Sequence, residues 1–371
     1  MIPVSIPFIA PNQKSYVNDC LDRNWISAFG KYDKKLVESF SKFVGTDYAS
    51  TCTNGTVAIH LALLACGVGK NDEVIIPNFN GPYSLFAVTY VNAKPVIIDV
   101  NEKWDINLSD LENAVTKKTK ALIITHLYGI PSNLSLLKDF CKERGIYIIE
   151  DCAEAHGAKI GDNVVGSIGD IGSFSFYANK IIASGEGGIL TTSNEKLFQR
   201  IEYFKNQTFN KGPIKTFVHD EPGYNYRMSD IQCSIAYSHL EVIDEILQKR
   251  KEILDKYKSN LKNFKNSFQM EKENIRTVNW VTTFQLPNEL VHLRDTLEIF
   301  LNDNGIQSRK FFAPMKDQPF LSDFDGVISG DLSISTMIAN SGLYLPTYIG
   351  ITDEEIKFIC EKIELFFEDK V

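Results

Sequence analysis

Between residues 50 and 192 the chain alternates short β-branched runs with longer segments of helical spacing, and this alternation limits its fold more than any other feature. The runs EVIIPN, KPVIIDV, ALIITHLYG and IYIIED read as strands. The segments between them, NGTVAIHLALLACGVG, SLFAVTYVNA, NLSDLENAVTKKT and NLSLLKDFCKERG, read as helices with Asn/Ser starts or Gly stops. Strands that are apolar throughout, separated by helices, imply a parallel sheet covered on both faces. Two more strand candidates, GSFSF and GGILTT, close this part. Residues 229–263 then form one Lys/Glu-rich helical region, too long for a single globular helix without a break, which reads as a connector. The remainder mixes strand (TVNWVTTFQL), helix (LRDTLEIFLNDNG) and a Pro/Phe-rich piece (SRKFFAPMKDQPF). The expected organisation is α/β: a large, mostly parallel sheet domain over 1–245 with an N-terminal arm at 1–30, and a smaller α+β domain over 246–371.

Composition narrows the function. A net charge of −8 supplies no basic field for nucleic acid or anionic lipid, so an anionic ligand needs local groups. No apolar run reaches the length of a membrane span, and the start lacks a basic segment followed by an apolar one. The seven cysteines are scattered, odd in number and without CxxC, which argues against a disulfide framework and for a reducing compartment. The six histidines show no HExxH or HxH spacing, so no protein-built metal site is expected. A cytoplasmic location is the expectation.

In parallel sheets, ligands bind beyond the carboxyl ends of strands, and three chemical groups fall there. TNGT, Thr53 to Thr56, opens a helix and offers free amides and a hydroxyl to an anion; read plainly it is an ordinary N-cap. Asp151 ends IYIIED, where a carboxylate needs a partner if it is buried; read plainly it bonds a neighbouring loop. Lys180 follows FSFYAN and precedes the glycines of ASGEGG; read plainly it is a solvated lysine, but desolvated it can act as an amine nucleophile. An anion cradle, an acid and an amine together match pyridoxal phosphate, which needs its phosphate held, its ring nitrogen kept protonated and its aldehyde captured.

The segments EDCAEAHGA, GDIGSFSFYANKIIASGEGGILTT and GYNYRMSDIQ resemble the DegT/StrS sugar aminotransferases, and NWISAFGKY, TNGTVAIHLAL, HLYG and SRKFFAPMKDQPF fit the same pattern across nearly the whole chain. The resemblance implies the type I aminotransferase fold and pyridoxal 5'-phosphate as cofactor. It implies that Lys180 is the Schiff-base lysine and proton carrier, and that Asp151 pairs with the ring nitrogen. Glu154 would contact the cofactor's hydroxyl side, and Gly55, Thr56 and Ser175 would hold the phosphate. Asn225 would reach the phosphate of a neighbouring subunit, making a homodimer with shared sites, while Arg227 is assigned a structural role. The implied reaction moves an amino group, from glutamate by analogy, to a nucleotide-linked 4-keto-6-deoxy sugar for surface-polysaccharide synthesis. A related dehydratase branch carries histidine where Lys180 stands, so the lysine favours amino transfer.

Two positions depart from the pattern. Gly81 stands where the family has an aromatic residue that stacks on the cofactor ring, so Phe79 or Tyr83 supplies a ring from a shifted loop, or that face is open. Lys316 replaces a frequent histidine. With Arg309 it could hold the phosphate of a small ketone such as dihydroxyacetone phosphate, which is the second substrate expectation; a solvent-facing substitution is the plain alternative. Trp25, Ser27 and Tyr83 are further candidates for the substrate entrance. His60, His126, Tyr128 and His156 read as packing residues, and the Lys-rich run 248–266 as a solvated helix face. A nicotinamide oxidoreductase lacks its G-x-G-x-x-G here. A non-catalytic, cofactor-bound regulator remains the alternative of another class.

Overall fold

The short β-branched runs become strands of one eight-stranded sheet, and the amphipathic segments become the layers on its two faces. The computed structural model describes residues 1–209, 217–268 and 272–368. In chain order the strands are β1 (Tyr48–Cys52), β2 (Glu73–Pro77), β3 (Lys94–Ile98), β4 (Thr119–Thr125), β5 (Tyr147–Asp151), β6 (Lys159–Ile160), β7 (Asn163–Val164), β8 (Ile171–Ser175), β9 (Gly188–Thr192), β10 (Ile275–Arg276), β11 (Thr282–Gln285), β12 (Arg309–Lys310), β13 (Val327–Ile328) and β14 (Gly342–Leu345). The large sheet has the order β1-β9-β8-β5-β4-β2-β3-β13. Only β9 runs against its neighbours; the pairs from β8 through to β13 are parallel.

Successive residues of a central strand bury on opposite faces. In β2, Ile75 belongs to the same core as Leu36 and Phe40 of the helix Lys31–Val44, while Val74 and Ile76 belong to a second core with Ala58 and Leu61 of the helix Gly55–Ala65. Burial on both faces is why these strands read as unbroken apolar runs. The long 229–263 region does break: a helix Asp230–Leu240, opened by a Ser229–Gln232 capping box, stops before a second helix, Ile243–Asn260. That second helix leads to the antiparallel sheet β11-β14-β12 and its own core of Tyr257, Phe284, Leu301 and Ile359.

The packing does not divide at residue 245. After β12 the chain returns to the large sheet, where β13 pairs with β3 and the Met315 amide bonds the Asn78 carbonyl at 2.8 Å. The arm crosses the other way: the Ile2 amide donates to Gly305 O, and the Thr347 amide to Val4 O. Val4, Ser5 and Pro7 of this arm also help to line the main cavity. Among the described residues no helix is long and apolar enough to cross a membrane.

Candidate active site

Strands β1 and β8 both run against β9 and therefore point the same way, as does β5 beside β8. Their carboxyl ends meet at the main cavity, of about 950 Å³. Gly55, Thr56, Tyr83, Asp151, Glu154, Ser175, Lys180 and Arg309 all line it.

At one end lies the N-terminus of the helix Gly55–Ala65. Asn54 Oδ1 accepts from the Val57 amide, while the amides of Gly55 and Thr56 fall in the first turn, where no helical acceptor exists. A Cβ on Gly55 would lie 2.7 Å from that of Ser175, so this close approach of helix and strand requires glycine. The result is a cradle of amides and a serine hydroxyl suited to a phosphate.

At the other end, Asp151 is buried and accepts from Ser84 Oγ at 3.2 Å and the Ala153 amide at 3.1 Å. Burial pushes its carboxyl above the usual range, against the pull of the Ala153 amide, Lys180 and Ser84. A cationic ring nitrogen would relieve that cost, so the donor set fits a pyridinium.

The loop 176–187 explains a lysine between a strand and glycines. Phe176 and Ser184 close it by backbone bonds, and the buried Ile181 and Ile182 anchor it, which leaves Lys180 at its turn facing the cavity. Gly185 and Gly187, at φ of 83° and 152°, return the chain to β9. Lys180 Nζ lies 3.3 Å from Glu154 Oε1 and 3.9 Å from the ring centre of Trp280. Glu154 also accepts from the Tyr128 amide at 2.8 Å; burial raises its carboxyl, while Lys180 and that amide draw it back.

Two rings lie near Gly81, and they are placed differently. Phe79 is buried among Trp104, Tyr128 and Phe311, away from the cavity. Tyr83 lines the cavity, and its ring passes 3.1 Å from where a Cβ of residue 81 would stand. Glycine at 81 makes room for the ring of residue 83.

Four candidates lie elsewhere. Lys316 does not face the cavity: it lines a separate groove with Asp331 and Thr336, and its ammonium pairs with Asp317 at 2.8 Å. The Lys316 amide is bonded to Asn78 Oδ1, which turns this stretch away from Arg309. Trp25 and Ser27 are exposed in the arm and do not line this chain's cavity, and neither does Asn225, whose amide oxygen accepts from Arg227 at 2.5 Å. Arg227 also donates to Asn206 and Gln207, a bracing role.

The histidines read as packing residues, His60, His126 and His156, are buried. His60 lies buried among Tyr90, Tyr224 and Tyr226. His126 accepts from the Ser132 amide at Nδ1 and meets Glu150 at 3.0 Å through Nε2. A ring nitrogen of His126, a carboxylate oxygen of Glu150 and Cys152 Sγ fall within 4.8 Å of one another, but His126 and Glu150 bond each other there and the carboxylate also accepts from three backbone amides. Sequence reasoning missed Trp280, which belongs to the cavity wall although it lies far along the chain in a strand-like segment with no motif to mark it.

A family model described as the DegT/DnrJ/EryC1/StrS aminotransferase family matches residues 7–364. The chain is 37% identical to the GDP-perosamine synthase of Escherichia coli O157:H7, covering 100% of this chain and 99% of that one. It is 36% identical to the GDP-perosamine synthase of Vibrio cholerae, covering 99% of each. The fold matches the PLP-form of the putative sugar aminotransferase Spr1654 from Streptococcus pneumoniae with a TM-score of 0.91 and 25% identity, over 100% of this chain and 99% of that chain. Amine, acid and anion cradle converge in a type I aminotransferase fold, and the chain belongs to the DegT/DnrJ/EryC1/StrS aminotransferase family, whose amino transfer depends on pyridoxal phosphate.

Proposed function

We propose that this enzyme moves an amino group, taken from glutamate, onto the ketone of a nucleotide-linked 4-keto-6-deoxy sugar. The observation that carries the reading is the convergence of Lys180, Asp151 and the open helix N-terminus in one cavity. Pyridoxal phosphate, when bound, supplies the aldehyde that takes up nitrogen and a ring that accepts electrons. Gly55, Thr56 and Ser175 hold its phosphate, and Asp151 holds the ring nitrogen in its protonated form. Glu154 orients the lysine and the hydroxyl side of the ring. Lys180 Nζ would take a proton from the carbon on one side of the transferred nitrogen and deliver it to the carbon on the other side, which is general acid–base work by a single mobile amine.

The cleft suits a large acceptor, because it is open and its far wall carries Arg309, Gln307 and Tyr344. Arg309 makes no ion pair among the described residues and can meet an anionic group of the acceptor. Relatives named GDP-perosamine synthase support a nucleotide-linked sugar. The small-ketone reading rested on Lys316 together with Arg309, and of the two only Arg309 lines the cavity. We further propose a homodimer in which Asn225, Trp25 and Ser27 complete the partner's site.

The test offers GDP-linked and other nucleotide-linked 4-keto sugars, and ketose phosphates, to protein converted by glutamate to the amine form. Return of the lysine-bound cofactor absorbance with a nucleotide-linked keto sugar is the expected result. Return only with a ketose phosphate overturns the acceptor, and no conversion by any amino donor favours the non-catalytic alternative.

A further inference from the structure

We propose that Trp280 is the positioning residue of the catalytic amine: its indole face holds the Lys180 ammonium beside Glu154, while its ring N–H holds the backbone just before that lysine. The proposal rests on the role assigned to Lys180 above.

Two separate contacts tie the residues together. Lys180 Nζ stands 3.9 Å from the centre of the Trp280 ring, well inside the range at which a cation is attracted to a π face. Trp280 Nε1 donates to the carbonyl of Asn179 at 2.8 Å, one residue before the lysine. Trp280 is 3% exposed and the Lys180 side chain 9%, so the attraction acts where water screens it little.

The indole is itself fixed. Tyr128 lies nearly parallel to it, at 6.1 Å and 11°, and Tyr344 flanks it at 6.4 Å. Behind it, the buried Arg250 of the helix Ile243–Asn260 donates to the Trp280 carbonyl at 2.8 Å and reaches the Asn279 carbonyl at 3.5 Å. Asn279 Nδ2 returns a bond to the Arg250 carbonyl at 2.9 Å. No carboxylate among the described residues pairs with Arg250. A buried guanidinium is costly to hold without one, and here its partners are the two carbonyls that set the indole's place. A line of contacts thus runs from the connecting helix through Trp280 to the amine.

This arrangement suits an amine that must change charge during turnover. A carboxylate alone would hold the ammonium as an ion pair and release the neutral amine. A π face attracts the cation and still makes van der Waals contact with the neutral form, so Nζ stays in the cavity in both states. The other titratable groups whose charge Lys180 meets are Glu154, Asp151 and His156, the last also facing Arg250.

The test uses full-length protein freed of cofactor and measures how the rate at which Lys180 captures pyridoxal phosphate depends on pH, with the adduct trapped by borohydride and located on its peptide. Trp280→Leu removes the π face and the N–H. Its half-maximal pH should fall by about half a unit to one unit. Trp280→Phe keeps a smaller, weaker face and loses the N–H; it should recover part of that change, yet release the bound cofactor faster than wild type. Should the leucine variant not fold, biosynthetic replacement of tryptophan by mono- and difluorotryptophan weakens the π face at constant shape. The half-maximal pH should then fall stepwise with fluorine count in a Trp25→Phe background, where Trp104, which does not line the cavity, is the one other tryptophan. A half-maximal pH that ignores both the leucine change and fluorination, with capture intact, overturns the proposal. Absence of any adduct on Lys180 in the wild type fails the functional reading instead, and takes this one with it.

Discussion

Glu150 and Asp151 are consecutive residues of β5, both acidic and both buried, yet they face opposite sides of the sheet and meet opposite fates. Glu150 is sealed. One oxygen accepts from the amides of Ile168 and Gly169 at 2.8 and 2.6 Å, and the other from Gly166 N at 2.9 Å and His126 Nε2 at 3.0 Å. Burial works against its charge, but His126 and these amides outweigh it and hold the carboxyl below the usual range. Asp151 has two donors and a cavity, and burial leaves its carboxyl above the usual range. A carboxylate with four donors is part of the frame. A carboxylate left short of donors at a cavity wall has room for a ligand cation.

The largest expected effect breaks the pair apart. Asp151→Asn should lower the rate of amino transfer by on the order of 10²–10³-fold or more, because it removes the charge that would keep the cofactor ring protonated. Its urea midpoint without cofactor should equal or exceed that of wild type, because a poorly compensated buried charge is gone. A variant that keeps full activity would refute the assignment of Asp151.

Glu150→Gln should do the reverse. The glutamine nitrogen cannot accept, so it faces two donors that lose their partner. The expected cost is on the order of 2–4 kcal/mol in urea unfolding, with turnover per folded molecule within a few-fold of wild type. Large loss of turnover at unchanged stability would show that the sealed carboxylate also acts in the chemistry.

This contrast marks how far the sequence is legible. The sheet could be read because strands buried on both faces leave continuous apolar runs, and Asp151, Lys180 and Thr56 because a polar group at such a strand end stands out. Glu150 and Asp151 are indistinguishable as letters; only the donors of the 166–169 turn separate them. Lys316 was expected near the substrate mouth because it stands where the family often carries histidine, but a turn bonded to Asn78 sends the lysine into another groove. Of the rings near Gly81, the letters could not say that Tyr83 lines the cavity and Phe79 does not, because that depends on the space beside a glycine. Trp280 carries no local signal at all, because its contact with Lys180 joins a loop on the large sheet to a segment packed on the connecting helix.

Buried bases extend the contrast to pH. Burial, with the charges of Lys180 and Arg250, pushes His156 down to about 3, and burial pushes His60 and His239 down to about 4. These imidazoles are neutral in the fold near pH 5, whereas in the unfolded chain they protonate as the pH falls through about 6.5. Their contribution to stability is therefore complete above about 6.5 and is lost on acidification toward 3–4, by on the order of 2 kcal/mol per histidine at about pH 5. Carboxyls raised by burial, Asp151 and Glu154 among them, oppose this trend, so the informative quantity is a difference between proteins. In cofactor-free protein, His156→Leu should lose less stability than wild type between pH 7 and pH 5, by about that amount. Equal losses would mean that His156 is solvated or protonated in the fold.

The smallest effect comes from a third buried carboxylate, Asp230. Its Oδ1 accepts both the Tyr32 and the Asp33 amides at 2.8 Å, at the N-terminus of the helix Lys31–Val44. Both strong bonds converge on one oxygen, and among the described residues Oδ2 receives only the weak Cys20 thiol at 3.7 Å. Asparagine preserves the accepting oxygen and gives up only the charge facing the helix dipole. Asp230→Asn should thus cost about 0.5–1 kcal/mol in urea unfolding, far less than Glu150→Gln. If the two substitutions cost the same, the number of donors on each oxygen is not what distinguishes a frame carboxylate, and the sealed-against-open contrast at β5 would need another cause.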